Sequence, residues 1–123
     1  MVDALGNPLR FVITPGQWGD CPQARGLVEG LEGVGDVVAD TAYDADHFRR
    51  FVDEELGATA QIPSNPSRSA KLPIDKELYK ARHLVENFFL VIKRFRRIAL
   101  RCEKTASSFS AFVALACTMK WLA

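Results

Sequence analysis

Apolar and polar positions alternate between two periods along this chain. Leu9 to Thr14 is a β-rich run bounded by Gly6-Asn7-Pro8 and Pro15-Gly16, which predicts a strand with a turn at each end. Asp20, Pro22 and Gln23 form a helix-start pattern, Leu27, Val28 and Leu31 supply an apolar face, and Gly33 and Gly35 predict the stop. Val37-Val38-Ala39 predicts a short buried strand ending in Asp40. Asp44 or Asp46 then predicts the cap of a helix carrying Phe48, Phe51, Val52 and Leu56, stopped by Gly57. Thr59 to Ile62 predicts another strand, and Pro63 to Pro73 a loop. Asp75 predicts the cap of a long helix reaching about Ala99 or Leu100. Thr105 predicts the cap of a last helix, Ala106 to Leu122, apolar nearly all round and so expected to be buried. Strand, helix, strand, helix, strand, helix, helix is the order of an α/β layered domain with a mixed or parallel sheet.

Composition narrows the class. Hydrophobic residues make up 48% and charged residues 25% of 123 residues, which excludes a disordered or collagenous chain and suits one domain. No run approaches the roughly 18–20 apolar residues of a membrane helix. The N-terminus lacks a basic region followed by an apolar stretch, so a cytoplasmic protein with no membrane partner is expected. Cys21, Cys102 and Cys117 are expected to be reduced, since three widely spaced cysteines suit neither a disulfide framework nor a zinc site. His47 and His83 lack ligand companions, and Trp18 and Trp121 are expected to pack.

The formal net charge of +1 hides a split. Residues 1–67 hold 4 basic and 11 acidic side chains, whereas residues 68–123 hold 12 basic and 4 acidic ones. Such asymmetry hints at nucleic-acid contact by the basic half. Arg94, Arg96, Arg97, Arg101 and Lys104 fall within eleven residues, and Arg68 and Lys71 add charge in the preceding loop. Arginine suits phosphate because its planar fork donates two hydrogen bonds at once.

On a wheel of about 100° per residue, the long helix gathers Ala81, Leu84, Val85, Phe88, Val91, Ile92, Phe95 and Ala99 on one face. Tyr79, Arg82, Glu86, Lys93 and Arg97 share another face. A lone carboxylate thus sits in a line of cations and a tyrosine. Composition alone reads such a stripe as a solvated face with an Arg82–Glu86 ion pair.

The spacing Tyr79-x2-Arg82-x3-Glu86-x6-Lys93 resembles, gap for gap, that of bacterial insertion-sequence transposases of the DDE type. Val37 to Asp44 is similar to that family's second-aspartate block. Val2 to Leu9, Thr14 to Gln17 and Ile62 to Asn65 also resemble the family, so the likeness spans about Val2 to Leu122.

The resemblance implies a ribonuclease H-like fold, a mixed sheet flanked by helices. It also implies an Asp-Asp-Glu triad holding two divalent ions, Mg²⁺ or Mn²⁺, for phosphodiester cleavage and strand transfer. Carried over, Asp40 is the second metal-binding acid and Glu86 the third. Lys93 contacts the DNA end, and Arg82 and Tyr79 position Glu86 or the backbone. DNA contact extends to Arg94, Arg97, Arg101, Lys104, Arg68 and Lys71. Asp44 and Asp46 are set apart as helix-cap acids.

No residue matches the family's first aspartate, because Asp3 belongs to the block leading into a hairpin. The resemblance therefore implies one partial catalytic domain over residues 1–123, beginning one to two strands late, with an incomplete two-ion site. Little strand transfer and marginal stability are expected of the chain alone. Its partners are then insertion-sequence ends and target DNA at the nucleoid, with a second copy or an upstream-frame transposase segment. A frameshift product and a decayed remnant both fit. Two other readings stand beside the enzyme: a non-catalytic DNA-binding or dimerising remnant, and a nuclease of another metal-dependent class.

Overall fold

A computed structural model of the chain describes residues 1–15, 18–19, 21–95 and 105–122. They group into two compact units. One is formed by Gly16–Arg82, the other by Met1–Pro15 together with His83–Ala123.

In the first unit, helix α1 (Cys21–Val28) is followed by strand β1 (Asp36–Val38), a 3-10 turn (Thr41–Tyr43), helix α2 (Asp46–Glu54) and strand β2 (Thr59–Gln61). The short helix α3 (Lys76–Tyr79) and a second 3-10 turn (Lys80–Arg82) complete it. β1 and β2 pair in parallel, with Asp36 opposite Thr59, Val37 opposite Ala60 and Val38 opposite Gln61. Parallel strands need a crossover, and α2 supplies it. Its Phe48, Phe51 and Val52 recur at helical spacing and are buried, as are Ala24 and Val28 of α1. Ala58 and Ile62 flank β2 from inside the same layer. Arg25 lies over the Phe51 ring, 4.7 Å from its centroid, and pairs loosely with Glu55.

Several expectations change here. Helix α1 stops earlier than the Gly33-Gly35 pair predicts, because Gly30 already takes a left-handed φ of 78°. Leu31 therefore lies beyond the helix, and the expected cap Asp20 lies outside the described residues. Neither Asp44 nor Asp46 caps α2: the N-cap is Ala45, whose side chain makes no capping bond. Asp46 instead occupies the first turn, where a negative charge suits the helix dipole. Trp18 is exposed, not packed.

In the second unit, helix α4 (His83–Ile92) and helix α5 (Ala106–Leu122) contribute Phe88, Ile92, Val113, Ala116 and Cys117 to one core, with Val2, Ile13, Phe109 and Phe112 packed against it. Burial raises the pKa of the Cys117 thiol, and Cys21 and Cys117 are free thiols. Thr105 caps α5 as expected, its Oγ1 accepting the Ser108 amide at 3.1 Å. Trp121 too is exposed rather than packed, although its indole N–H donates to the Pro8 carbonyl at 2.7 Å.

The opening segment is a tight hairpin. Val2 faces Pro8 in an antiparallel bridge, and the Leu9 amide donates to the Met1 carbonyl at 3.0 Å. Asp3 closes the turn, its Oδ1 accepting from the Leu5 and Asn7 amides, each at 2.9 Å. Gly6 sits at the left-handed φ of 83° that this turn demands.

The strand predicted over Leu9 to Thr14 is not formed. A β-run satisfies its backbone only through a neighbouring strand, and the described residues provide none there. Leu9, Phe11 and Val12 are accordingly exposed, and only Ile13 reaches the core. The long helix predicted from Asp75 is likewise not continuous. It breaks at the Lys80–Arg82 turn, and α4 ends at Ile92, where Phe95 closes a tighter bond to the Ile92 carbonyl. A 3-10 turn winds about 120° per residue, so a uniform wheel does not carry through it. Helix α5 buries one stripe only: Leu115, Met119 and Leu122 remain exposed. Its apolar surface exceeds what α4 and the N-terminal segment cover.

Candidate metal and nucleic-acid site

β1 ends at Val38, earlier than expected, and Asp40 follows after Ala39. Its backbone is extended, and its Oδ1 accepts the Ala42 amide at 3.0 Å, so it caps the 3-10 turn. Its Oδ2 accepts no hydrogen bond from the described residues. Because β1 and β2 are parallel, the turn after β1 and the Pro63–Pro73 loop after β2 emerge at the same edge of the sheet. Ligands of open α/β sheets bind at such carboxyl-end edges.

Asp44 joins the two. Its carboxylate has 0% exposure and meets Arg49 Nε at 2.6 Å and Arg68 Nη2 at 2.7 Å, both on Oδ1. Its Oδ2 accepts Arg68 Nε at 3.1 Å and the Asn65 amide. Arg49 continues to the Ile62 carbonyl at 2.7 Å, and Arg68 Nη1 reaches Asp46 at 2.8 Å. Burial by itself raises the Asp44 pKa. The Arg68 guanidinium, the Asn65 amide and Arg49 outweigh it and hold the carboxyl well below the usual range. Arg68 is raised in turn, first by its bond to Asp44.

Lys71 lies in the same loop, its ammonium held by the carbonyls of Asn65, Pro66 and Arg68 at 2.9–3.1 Å. Arg68 and Lys71 therefore brace the loop, whatever else they touch. Buried Gln61 ties β2 to both flanks: its Nε2 donates to Asp36 at 3.1 Å, and its Oε1 accepts the Asp75 amide at 2.8 Å. Asp75 caps α3, accepting the Glu77 amide at 3.0 Å and the Leu78 amide at 3.3 Å.

Arg82 lies over the Tyr79 ring, 5.8 Å from its centroid, so these two candidates do meet. Glu86 is exposed in the first turn of α4, and Lys93 and Arg94 are exposed just past its end. Arg97, Arg101 and Lys104 lie outside the described residues, as do Arg96 and Cys102. Asp40, Tyr79, Arg82, Arg68 and Lys71 belong to one compact unit, and Glu86, Lys93 and Arg94 to the other. Among the described residues, no group of three or more His, Cys, Asp or Glu is gathered to hold a metal ion. No described helix is long and apolar enough to cross a membrane.

Sequence reasoning did not single out Arg49 and Gln61, and it read Asp44 as a cap. No spacing rule links residue 44 to residue 68. The one available signal was an arginine in a loop that offers no carboxylate of its own.

Asp40 stands past the carboxyl end of β1, and Tyr79, Arg82 and Glu86 follow along the chain in α3, the second 3-10 turn and α4. The chain belongs to the transposase DDE domain family, whose description matches residues 1–120, and within it to the bacterial insertion-sequence transposases. A curated protein of Brucella ovis is 61% identical over 122 residues, covering 99% of this chain and 94% of the relative. That relative is named, provisionally, as a transposase for insertion sequence element IS6501. No solved structure matches the chain. DDE transposases move DNA and use divalent metal ions.

Proposed function

We propose that this chain supplies the second-aspartate and glutamate part of a transposase catalytic domain of ribonuclease H-like fold, acting on insertion-sequence ends and target DNA. The observation carrying this reading is Asp40, set at the carboxyl end of β1 with one carboxylate oxygen free of hydrogen bonds from the described residues. The donor chemistry fits, since Mg²⁺ and Mn²⁺ take hard carboxylate oxygens. Asp40 and Glu86 are the residues that would hold such an ion. A divalent cation bound there supplies Lewis-acid stabilisation of a phosphodiester under attack.

The chain's own residues do the rest. Lys93 holds a phosphate oxygen beside the reacting bond as a point charge. Arg82, braced against Tyr79, positions Glu86 or the DNA backbone. Arg94, Arg97, Arg101 and Lys104 add backbone contacts, with Arg68 and Lys71 contributing from the rim of the braced loop.

Two of the family's three acids have counterparts here. Asp3 is engaged in its hairpin, its Oδ1 accepting the Leu5 and Asn7 amides, and is not assigned as the third. The chain alone is therefore proposed to have little strand-transfer activity. The same observation favours the second reading, a DNA-binding or dimerising protein that does not cut.

The test is Mg²⁺-dependent cleavage of insertion-sequence-end DNA by the chain with an upstream aspartate-bearing segment supplied. Cleavage that Glu86→Gln abolishes supports the enzyme. DNA binding without cleavage supports the second reading, and cleavage that survives Glu86→Gln refutes the site.

A further inference from the structure

The Asp44 carboxylate is fully buried between Arg49 and Arg68, and the proposed chemistry gives Asp44 and Arg49 no role. Asp44 closes the 3-10 turn that Asp40 opens: the Asp44 amide donates to Thr41 at 3.0 Å, and the Tyr43 amide to Asp40 at 3.1 Å. The turn itself is weakly held. It is three residues long, Ala42 is exposed, and 3-10 hydrogen bonds have poorer geometry than α-helical ones. One end of this turn carries the candidate metal acid, and the other is buried in a two-arginine cradle. Arg49 reaches that cradle from α2, while Arg68 and Asn65 reach it from the loop after β2. The loop is stiffened in turn by Lys71 and by the Leu72 amide, which donates to Ser64 Oγ at 2.8 Å.

We propose that Asp44, clamped by Arg49 and Arg68, is a positioning residue that fixes the Asp40 carboxylate at the sheet edge. The inference rests on Asp40 being a metal-binding acid. A lone turn leaves a carboxylate free to drift, and reacting groups tolerate little displacement. Asp44 removes that freedom by anchoring the turn to the helix on one side and to the neighbouring loop on the other. Arg68 matters through its fork: Nε and Nη2 grip both Asp44 oxygens, while Nη1 holds Asp46. Lysine offers no such geometry.

The test uses the full chain labelled with ¹⁵N, comparing wild type, Asp44→Asn, Arg68→Lys and Asp40→Asn. In wild type, the amide order parameters of Thr41, Ala42 and Tyr43 stand near the value of about 0.85 found in rigid backbone. In Asp44→Asn they fall below about 0.6, while Phe51 and Val52 in α2 keep theirs. In parallel, Mn²⁺ broadens the Thr41 and Ala42 signals of wild type, and Asp44→Asn raises the Mn²⁺ concentration needed about tenfold or more, as loss of supporting groups does at metal sites.

Unchanged order parameters and Mn²⁺ response in a folded Asp44→Asn chain overturn the inference. So does an equal loss of order throughout α2, which marks general destabilisation. If Asp44→Asn does not fold, Arg68→Lys decides by the same two readouts. Wild-type broadening that is absent, or that persists in Asp40→Asn, refutes the metal reading instead, and the order parameters alone then uphold or overturn the clamp.

Discussion

Replacing Asp44 by Asn keeps the shape of the side chain and removes its charge. The carboxylate is fully buried, while Arg49 and Arg68 keep 13% and 21% exposure. The variant loses the ion pairs to both arginines and turns an amide N–H₂ toward one of them. Breaking a buried pair by removing one partner costs about 3–5 kcal/mol. Both arginines retain some water, so about 2–4 kcal/mol is expected here, against a total stability of about 5–15 kcal/mol for a domain. Asp46→Asn is the matched control: that carboxylate is 77% exposed and pairs with the same Arg68, so its loss should stay under about 1 kcal/mol.

Urea unfolding at neutral pH, followed by circular dichroism, measures both as shifts in midpoint at constant slope. A loss in Asp44→Asn no larger than in Asp46→Asn refutes the reasoning. The pH dependence carries a sign as well. Asp44 is held below its unfolded value of 3.8, so on acidification the unfolded chain takes up its proton first. The stabilisation is full above about pH 5 and is lost as pH falls through the lowered folded value. The gap between wild type and Asp44→Asn should therefore be flat from pH 7 to about 5 and close in stronger acid. A gap that closes as pH rises contradicts the assignment.

Thr105→Ala removes the cap of α5 and should cost about 1 kcal/mol in the same urea assay, whereas Thr105→Ser should cost little. Phe88→Ala opens a cavity in the core of the second unit and should cost about 3–5 kcal/mol; a loss below about 1 kcal/mol shows that core to be loosely packed. Binding of insertion-sequence-end DNA, read by fluorescence anisotropy, should weaken by orders of magnitude between about 50 and 200 mM salt through counterion release. A flat salt response rules out the backbone-contact role given to Lys93, Arg94, Arg97, Arg101 and Lys104.

Local features were legible wherever one residue decides them. Thr105 and Asp75 cap helices because a short oxygen-bearing side chain meets backbone amides two or three residues on. Helix α2 was readable from Phe48, Phe51 and Val52, and β1 from the apolar Val37-Val38-Ala39 run. What failed depended on partners. Leu9 to Thr14 has strand composition, yet composition does not supply a neighbouring strand. The wheel through Tyr79 and Glu86 assumed one unbroken helix, and three residues of tighter turn interrupt it.

The sequence by itself determined the family, through the spacing of Tyr79, Arg82, Glu86 and Lys93 and the block ending at Asp44, because those residue types and gaps are read along the chain whatever its helices do. It also placed Asp40 just past a strand, although β1 ends at Val38 and Asp40 caps the turn that follows. Only the tertiary structure decided what Asp44 does. Its partners stand five and twenty-four residues away, and no periodicity connects them. They meet because two parallel strands end at one edge, bringing the turn after β1 against the loop after β2, and a buried carboxylate there must find cations or not be charged at all.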